Sequence, residues 1–197
     1  MHFAHAGLRR GEQVAMLVHA REDDVKAHAA HLGLDLNESL RDGRLLLLRY
    51  RPGFVHTAAH VASPEQVVAD LDRMITPHHP ARLIIDGFSP FIAGAAPAGP
   101  TIAALVAFLE RSTATTLLTF PEDLRSGYDR SLEPLMQGAA AVIRLVSEDG
   151  GIRRAELVNL RHTPPGSTTT RFIIRERVGI VAEHVVRSGE RQALRMP

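Results

Sequence analysis

The stretch RLIIDGFSPF, residues 82–91, decides the fold. Leu83, Ile84 and Ile85 form a short apolar run, rich in β-branched side chains, of the kind that makes a strand buried on both faces of a parallel sheet. The run ends on Asp86. An aspartate there stands at the carboxyl edge of the sheet, the edge where open α/β sheets bind their ligands. Aspartate also ends strands for plain structural reasons, opening a turn or capping the next helix, so the flanking segments have to decide.

Working outward, Ser63-Pro64-Glu65 opens a helix, with serine as N-cap and proline at the first helical position. Val67, Val68, Leu71, Met74 and Ile75 supply its apolar stripe. Before it come QVAMLVHA (13–20) and RLLLLRY (44–50), two further strands, with helical periodicity over 22–33 and a short helical turn near Asn37 to Leu40 between them. Residues 2–8 read as the end of a helix. Beyond the small-residue loop 93–100, a helix from about Thr101 to Ser112 is expected to bury Ile102, Leu105, Val106 and Leu109, and TTLLTF (115–120) is a fourth strand. Strands and helices alternate, which calls for a parallel sheet with helices on its faces. After residue 121 the pattern changes. A polar segment and a short helix near 131–138 lead to three alternating or apolar runs, 141–147, 152–161 and 170–176, expected as an antiparallel extension added to the parallel sheet. The fold class is therefore α/β, with 1–187 as one domain and 188–197 as a polar tail.

The chain has 197 residues, 45% of them hydrophobic, and a formal net charge of +1. That length and composition suffice for a sizeable core, and the near-neutral charge gives no general argument for nucleic acid or anionic membrane. With no cysteine, disulfides, thiolate metal sites and a cysteine nucleophile are excluded. No apolar run reaches the ~20 residues that cross a bilayer, and the first residues lack the apolar core of a signal peptide. A cytoplasmic protein is expected. Lys26 is the only lysine.

With this order in hand, the sequence resembles the KaiC-like branch of the RecA-type ATPases. The resemblance is carried by GLRRGEQVAMLVHARE (7–22), LIIDGFS (83–89), FLERSTATTLLT (108–119) and the closing runs AAVIRL (140–145), RAELVNLRH (154–162) and RFII (171–174) with Gly179-Ile180. It implies a RecA-like fold, a Walker B role for Asp86 in holding Mg²⁺, ATP as the cofactor, and a nucleotide edge around Glu22, Asp86, Thr119 and Arg161. It also implies association into rings or dimers, or binding of protein partners.

Three departures bear on activity. Within these residues there is no glycine-rich turn ending in Lys-Ser or Lys-Thr, the motif whose backbone N–H groups cradle phosphate; by the resemblance that loop precedes Met1. Lys26 is followed by Ala27 and falls within a helix. The pair of acidic residues that follows the first strand in the family corresponds to Arg21 and Glu22, which leaves Glu22 as the one candidate to activate water. The Lys-x-Arg segment that reaches a neighbouring subunit's nucleotide corresponds to Asn159 and Arg161, keeping a planar guanidinium and losing a point charge.

Other constellations are weaker. The eleven histidines include His56 and His60 at i, i+4 spacing without the glutamate of HExxH, and the His28/His31 and His78/His79 pairs have no further ligand, so no metal site is expected from them. Ser89 lacks the flanking glycines of a nucleophile elbow. Arg187, Arg191 and Arg195 have no aromatic partners for nucleic acid. The expectation is a degenerate, non-hydrolysing regulatory or assembly module. An ATPase in amino-terminally shortened form, or a sensory ligand-binding input domain, are the alternatives.

Overall fold

The computed structural model describes residues 1–50, 64–87, 99–121, 132–161 and 169–182. These fall into two compact units, Met1–Ala139 and Ala140–Pro197.

In the first unit, β1 (Val14–Val18), β2 (Leu45–Arg49), β3 (Arg82–Ile85) and β4 (Thr115–Leu118) form a parallel sheet in the order β2-β1-β3-β4. β1 lies in register with Leu45–Arg49 on one side and with Arg82–Ile85 on the other. All five of its residues are buried, as a central parallel strand covered on both faces requires. The side chains divide by the two-residue period of a strand. Ala15, Leu17, Leu83 and Ile85 pack on one face with Val68, Leu71 and Ile75 of α4 (Pro64–Ile75), with Ile102, Leu105 and Phe108 of α5 (Gly99–Arg111), and with Leu132 and Leu135 of α6 (residues 132–138). Val14, Met16, Val18 and Ile84 pack on the other with Ala4 and Leu8 of α1 (His2–Leu8) and Val25 and Ala29 of α2 (Glu22–His31). A further short helix, α3 (Asn37–Arg41), leads into β2.

The expected elements are present with small changes. Met74 is 45% exposed rather than part of the α4 stripe, because Val68, Leu71 and Ile75 already cover the sheet. Phe108 is buried in α5, while Val106 and Leu109 only border the core. Ser63, the expected cap of α4, and Ser89, His56 and His60 lie outside the described residues, as does the tail.

The second unit is an antiparallel sheet, β5 (Ala141–Ser147), β6 (Arg153–Leu160), β7 (Thr169–Arg175) and β8 (Gly179–Ala182), in that order. Two points correct the sequence reading. Among the described residues these strands pair with one another as a separate sheet and do not extend the parallel one. There is also a fourth strand, β8. At four residues it is too short for alternation to reveal it, and it is reached by a tight turn in which Arg177 takes φ 58°. One face of this sheet carries an ion ladder in which Arg171 and Arg154 both pair with Glu148, and Arg154 and Arg144 both pair with Glu156. The register puts Ile143, Leu145, Ile174 and Ile180 on the other, and each of them is exposed.

Candidate functional site

The sheet ladder continues one residue past β3. Asp86 N–H donates to Leu17 O at 2.9 Å and Thr119 N–H to Ile85 O at 3.0 Å, so both side chains are held at the carboxyl edge by the ends of strands and not by a loop. The Thr119 hydroxyl donates to Asp86 Oδ1 at 2.7 Å and accepts the Gly87 N–H at 2.9 Å. One hydroxyl thereby fixes both the carboxylate and the turn behind it. Gly87 turns the chain with φ +77°, a backbone conformation that side chains with a Cβ resist.

Tyr50, the residue after β2, completes the cluster. It is 6% exposed, its N–H donates to Val18 O, and its hydroxyl faces the carbonyls of Asp86 at 3.0 Å and Gly87 at 2.8 Å. The His19 ring meets the Tyr50 ring edge to face at 5.7 Å. Burial raises the Tyr50 pKa, and the Asp86 carboxylate adds to that rise, so the phenol remains a hydrogen-bond donor at neutral pH. The α-amino group of Met1, ahead of α1, feels the same carboxylate. Burial lowers its pKa, and the Asp86 carboxylate opposes the change.

Asp86 and Thr119 are thus brought together. Glu22 is differently engaged: it opens α2 among the acidic residues Glu22, Asp23 and Asp24, where the helix dipole favours negative charge, and its Oε1 lies 2.5 Å from Lys26 Nζ. Hydrogen bonding to Glu22 raises the Lys26 pKa. Together they line an open cavity of about 450 Å³ with Asn37, Leu40 and Arg41. Arg21 pairs with Asp24 at 3.2 Å. Asn159 and Arg161 belong to the second unit, Asn159 exposed and opposite Val142 in the ladder, Arg161 donating its N–H to Ala140 O at 2.9 Å. Among the described residues no group of three or more histidine or acidic side chains is arranged to hold a metal. His79, one of the paired histidines, ends a 3₁₀ turn in the left-handed conformation, a backbone role.

The oxygens at Asp86 suit a hard divalent cation. A carboxylate and a hydroxyl are the ligand types Mg²⁺ takes, usually one or two protein groups with water completing the shell, and Asp86 Oδ2 accepts no hydrogen bond from a described residue. A nucleotide's phosphates fit less well, since the only lysine is paired with Glu22 on α2.

The family model described as "ATPase: KaiC" matches residues 1–185. The chain belongs to the KaiC ATPase family. Solved structures of that kind share its fold. The KaiC-like protein PH0186 from Pyrococcus horikoshii OT3 superposes with a TM-score of 0.70 at 18% identity, over 92% of this chain and 81% of that one. The flagellar accessory protein FlaH from Methanocaldococcus jannaschii does so with 0.67 at 17%, over the same shares. No curated protein matches the sequence. Within this KaiC-family chain, Asp86 and Thr119 were legible from the sequence by position. Tyr50 was not: nothing in RLLLLRY marks its final residue as a partner of an aspartate 36 positions away. No described helix is long and apolar enough to cross a membrane.

Proposed function

We propose that this KaiC-family chain works as a regulatory or assembly module that binds protein partners and does not hydrolyse ATP by itself. The observation that carries this reading is the Glu22–Lys26 ion pair. The candidate water-activating carboxylate and the only lysine satisfy each other on the first two turns of α2, and the position before Glu22 is an arginine tied to Asp24. Phosphoryl transfer depends on positioning and electrostatic stabilisation of the phosphates, and here Glu22 and Lys26 are engaged with each other. The apolar face of the second unit, with Ile143 59% and Leu145 64% exposed, supports a role in protein contact.

A second reading, that Asp86 serves a nucleotide site completed by a phosphate loop outside these 197 residues, is favoured by the Asp86–Thr119 hydrogen bond. We assign Asp86, with Thr119 orienting it, to a divalent cation in either case, and Asn159 and Arg161 to the edge that would meet a phosphate. Calorimetric titration of the chain with Mg·ATP and Mg·ADP, paired with a phosphate-release assay, separates the two. The module reading expects no phosphate release above background. Turnover that disappears in Asp86→Asn would replace it with the ATPase reading.

A further inference from the structure

We infer that Tyr50 is a positioning residue for Asp86, its hydroxyl and that of Thr119 gripping the Asp86–Gly87 turn from two sides so that the carboxylate is presented to a divalent cation in one orientation. This rests on the assignment of Asp86 to such a cation. The order β2-β1-β3 puts Tyr50 two strands from Asp86, about 10 Å in the hydrogen-bonding direction. A side chain must therefore be long to cross the end of β1, and it must end in a donor, because the two groups it meets are carbonyls. Those carbonyls belong to the turn that leaves β3 at Ile85, and both hydrogen bonds to them are partly buried. The Tyr50 hydroxyl supplies one from a ring that is itself locked in the core beside Leu17 and Ile85.

Gly87 shows how close the approach is. A Cβ there would lie 3.0 Å from Tyr50 Oη, so glycine answers to the positive φ and to the hydroxyl together. On the opposite side of the turn Thr119 takes the Gly87 N–H and the Asp86 carboxylate. Loss of the Tyr50 hydroxyl would take the donor from the two turn carbonyls and leave the turn with the Thr119 contacts and the Asp86 N–H to Leu17 O bond as its holds among the described residues. The Gly87 N–H would then part from Thr119 more often, and the carboxylate with it.

The test compares wild type with Tyr50→Phe, Thr119→Val and Asp86→Asn. Gly87 amide hydrogen exchange is read by NMR on metal-free protein, and Mn²⁺ binding by electron paramagnetic resonance. Tyr50→Phe keeps the ring, so amide exchange in β1 and β3 should stay at wild-type rates, while Gly87 exchanges about tenfold faster and Mn²⁺ binds about fivefold more weakly, the scale of one lost neutral hydrogen bond. Thr119→Val should weaken Mn²⁺ as well, and Asp86→Asn should abolish it. If Mn²⁺ binding requires Asp86 yet is unchanged in Tyr50→Phe, the role of Tyr50 is overturned and the cation assignment stands. Absence of Mn²⁺ binding in wild type would overturn both.

Discussion

Arg82 does at the amino edge of the sheet what Thr119 does at the other: one side chain ties several segments. Its Nε lies 2.5 Å from Glu12 Oε2, its Nη1 donates to Phe3 O at 3.1 Å, and its guanidinium stands 4.6 Å from the Phe3 ring centre. Gly7 is needed beside it, since a Cβ would come within 2.6 Å of the Arg82 side chain. The hydrogen bond from Arg82 is the largest cause lowering the Glu12 pKa, with its charge adding to the effect. A carboxyl depressed in the folded state stabilises the fold above its unfolded value and loses that contribution as pH falls through the folded one. The pair should therefore strengthen the protein above about pH 4.5, the ordinary glutamate value, and fade below it. Melting temperature followed from pH 6 to pH 3 should fall less steeply in Glu12→Gln than in wild type over that acid range; parallel curves would show that the pair does not couple to folding. Asp86 was legible because a strand ending on aspartate is a local pattern. Glu12 with Arg82 was not, because their contact spans 70 residues.

Among elements, the central strands and the edge strand β4 differ in what they bury. Leu83 on β3 has no exposed surface, whereas Leu117 on β4 is 39% exposed. Leu83→Ala should cost about 2–5 kcal/mol, the transfer and cavity cost of a fully buried leucine. Leu117→Ala should cost less than about half of that, since a side chain already in contact with water leaves less of a cavity. Urea unfolding with unchanged slopes would measure both, and equal losses would mean that β4 is covered as fully as β3. Helix positions were readable from periodicity, and the strands β1 to β4 from their apolar runs. The strand β8 escaped notice, and so did the separation of the antiparallel strands into their own sheet, because pairing is set by which backbones meet and a sequence run does not record its neighbour.

For the whole molecule, the proposed module should associate. One face exposes Ile143, Leu145, Ile174 and Ile180, with paired charges on the opposite face, and exposed apolar surface marks sites of protein contact. Light scattering coupled to gel filtration should detect species larger than a monomer at high concentration, and Leu145→Glu should shift them towards monomer. A monomer at every concentration, with and without nucleotide, would refute self-association. By itself the sequence determined the α/β class, the parallel sheet and its covering helices, the KaiC resemblance and the place of Asp86, because hydrophobic periodicity and strand-end residues are written locally along the chain. Only the tertiary structure decided that Thr119 and Tyr50 hold Asp86 from two strands, that Glu22 is engaged by Lys26, and that the last four strands form a sheet of their own. Those are contacts between side chains and backbones distant in sequence or matched in geometry, and they exist only once the strands have been laid side by side.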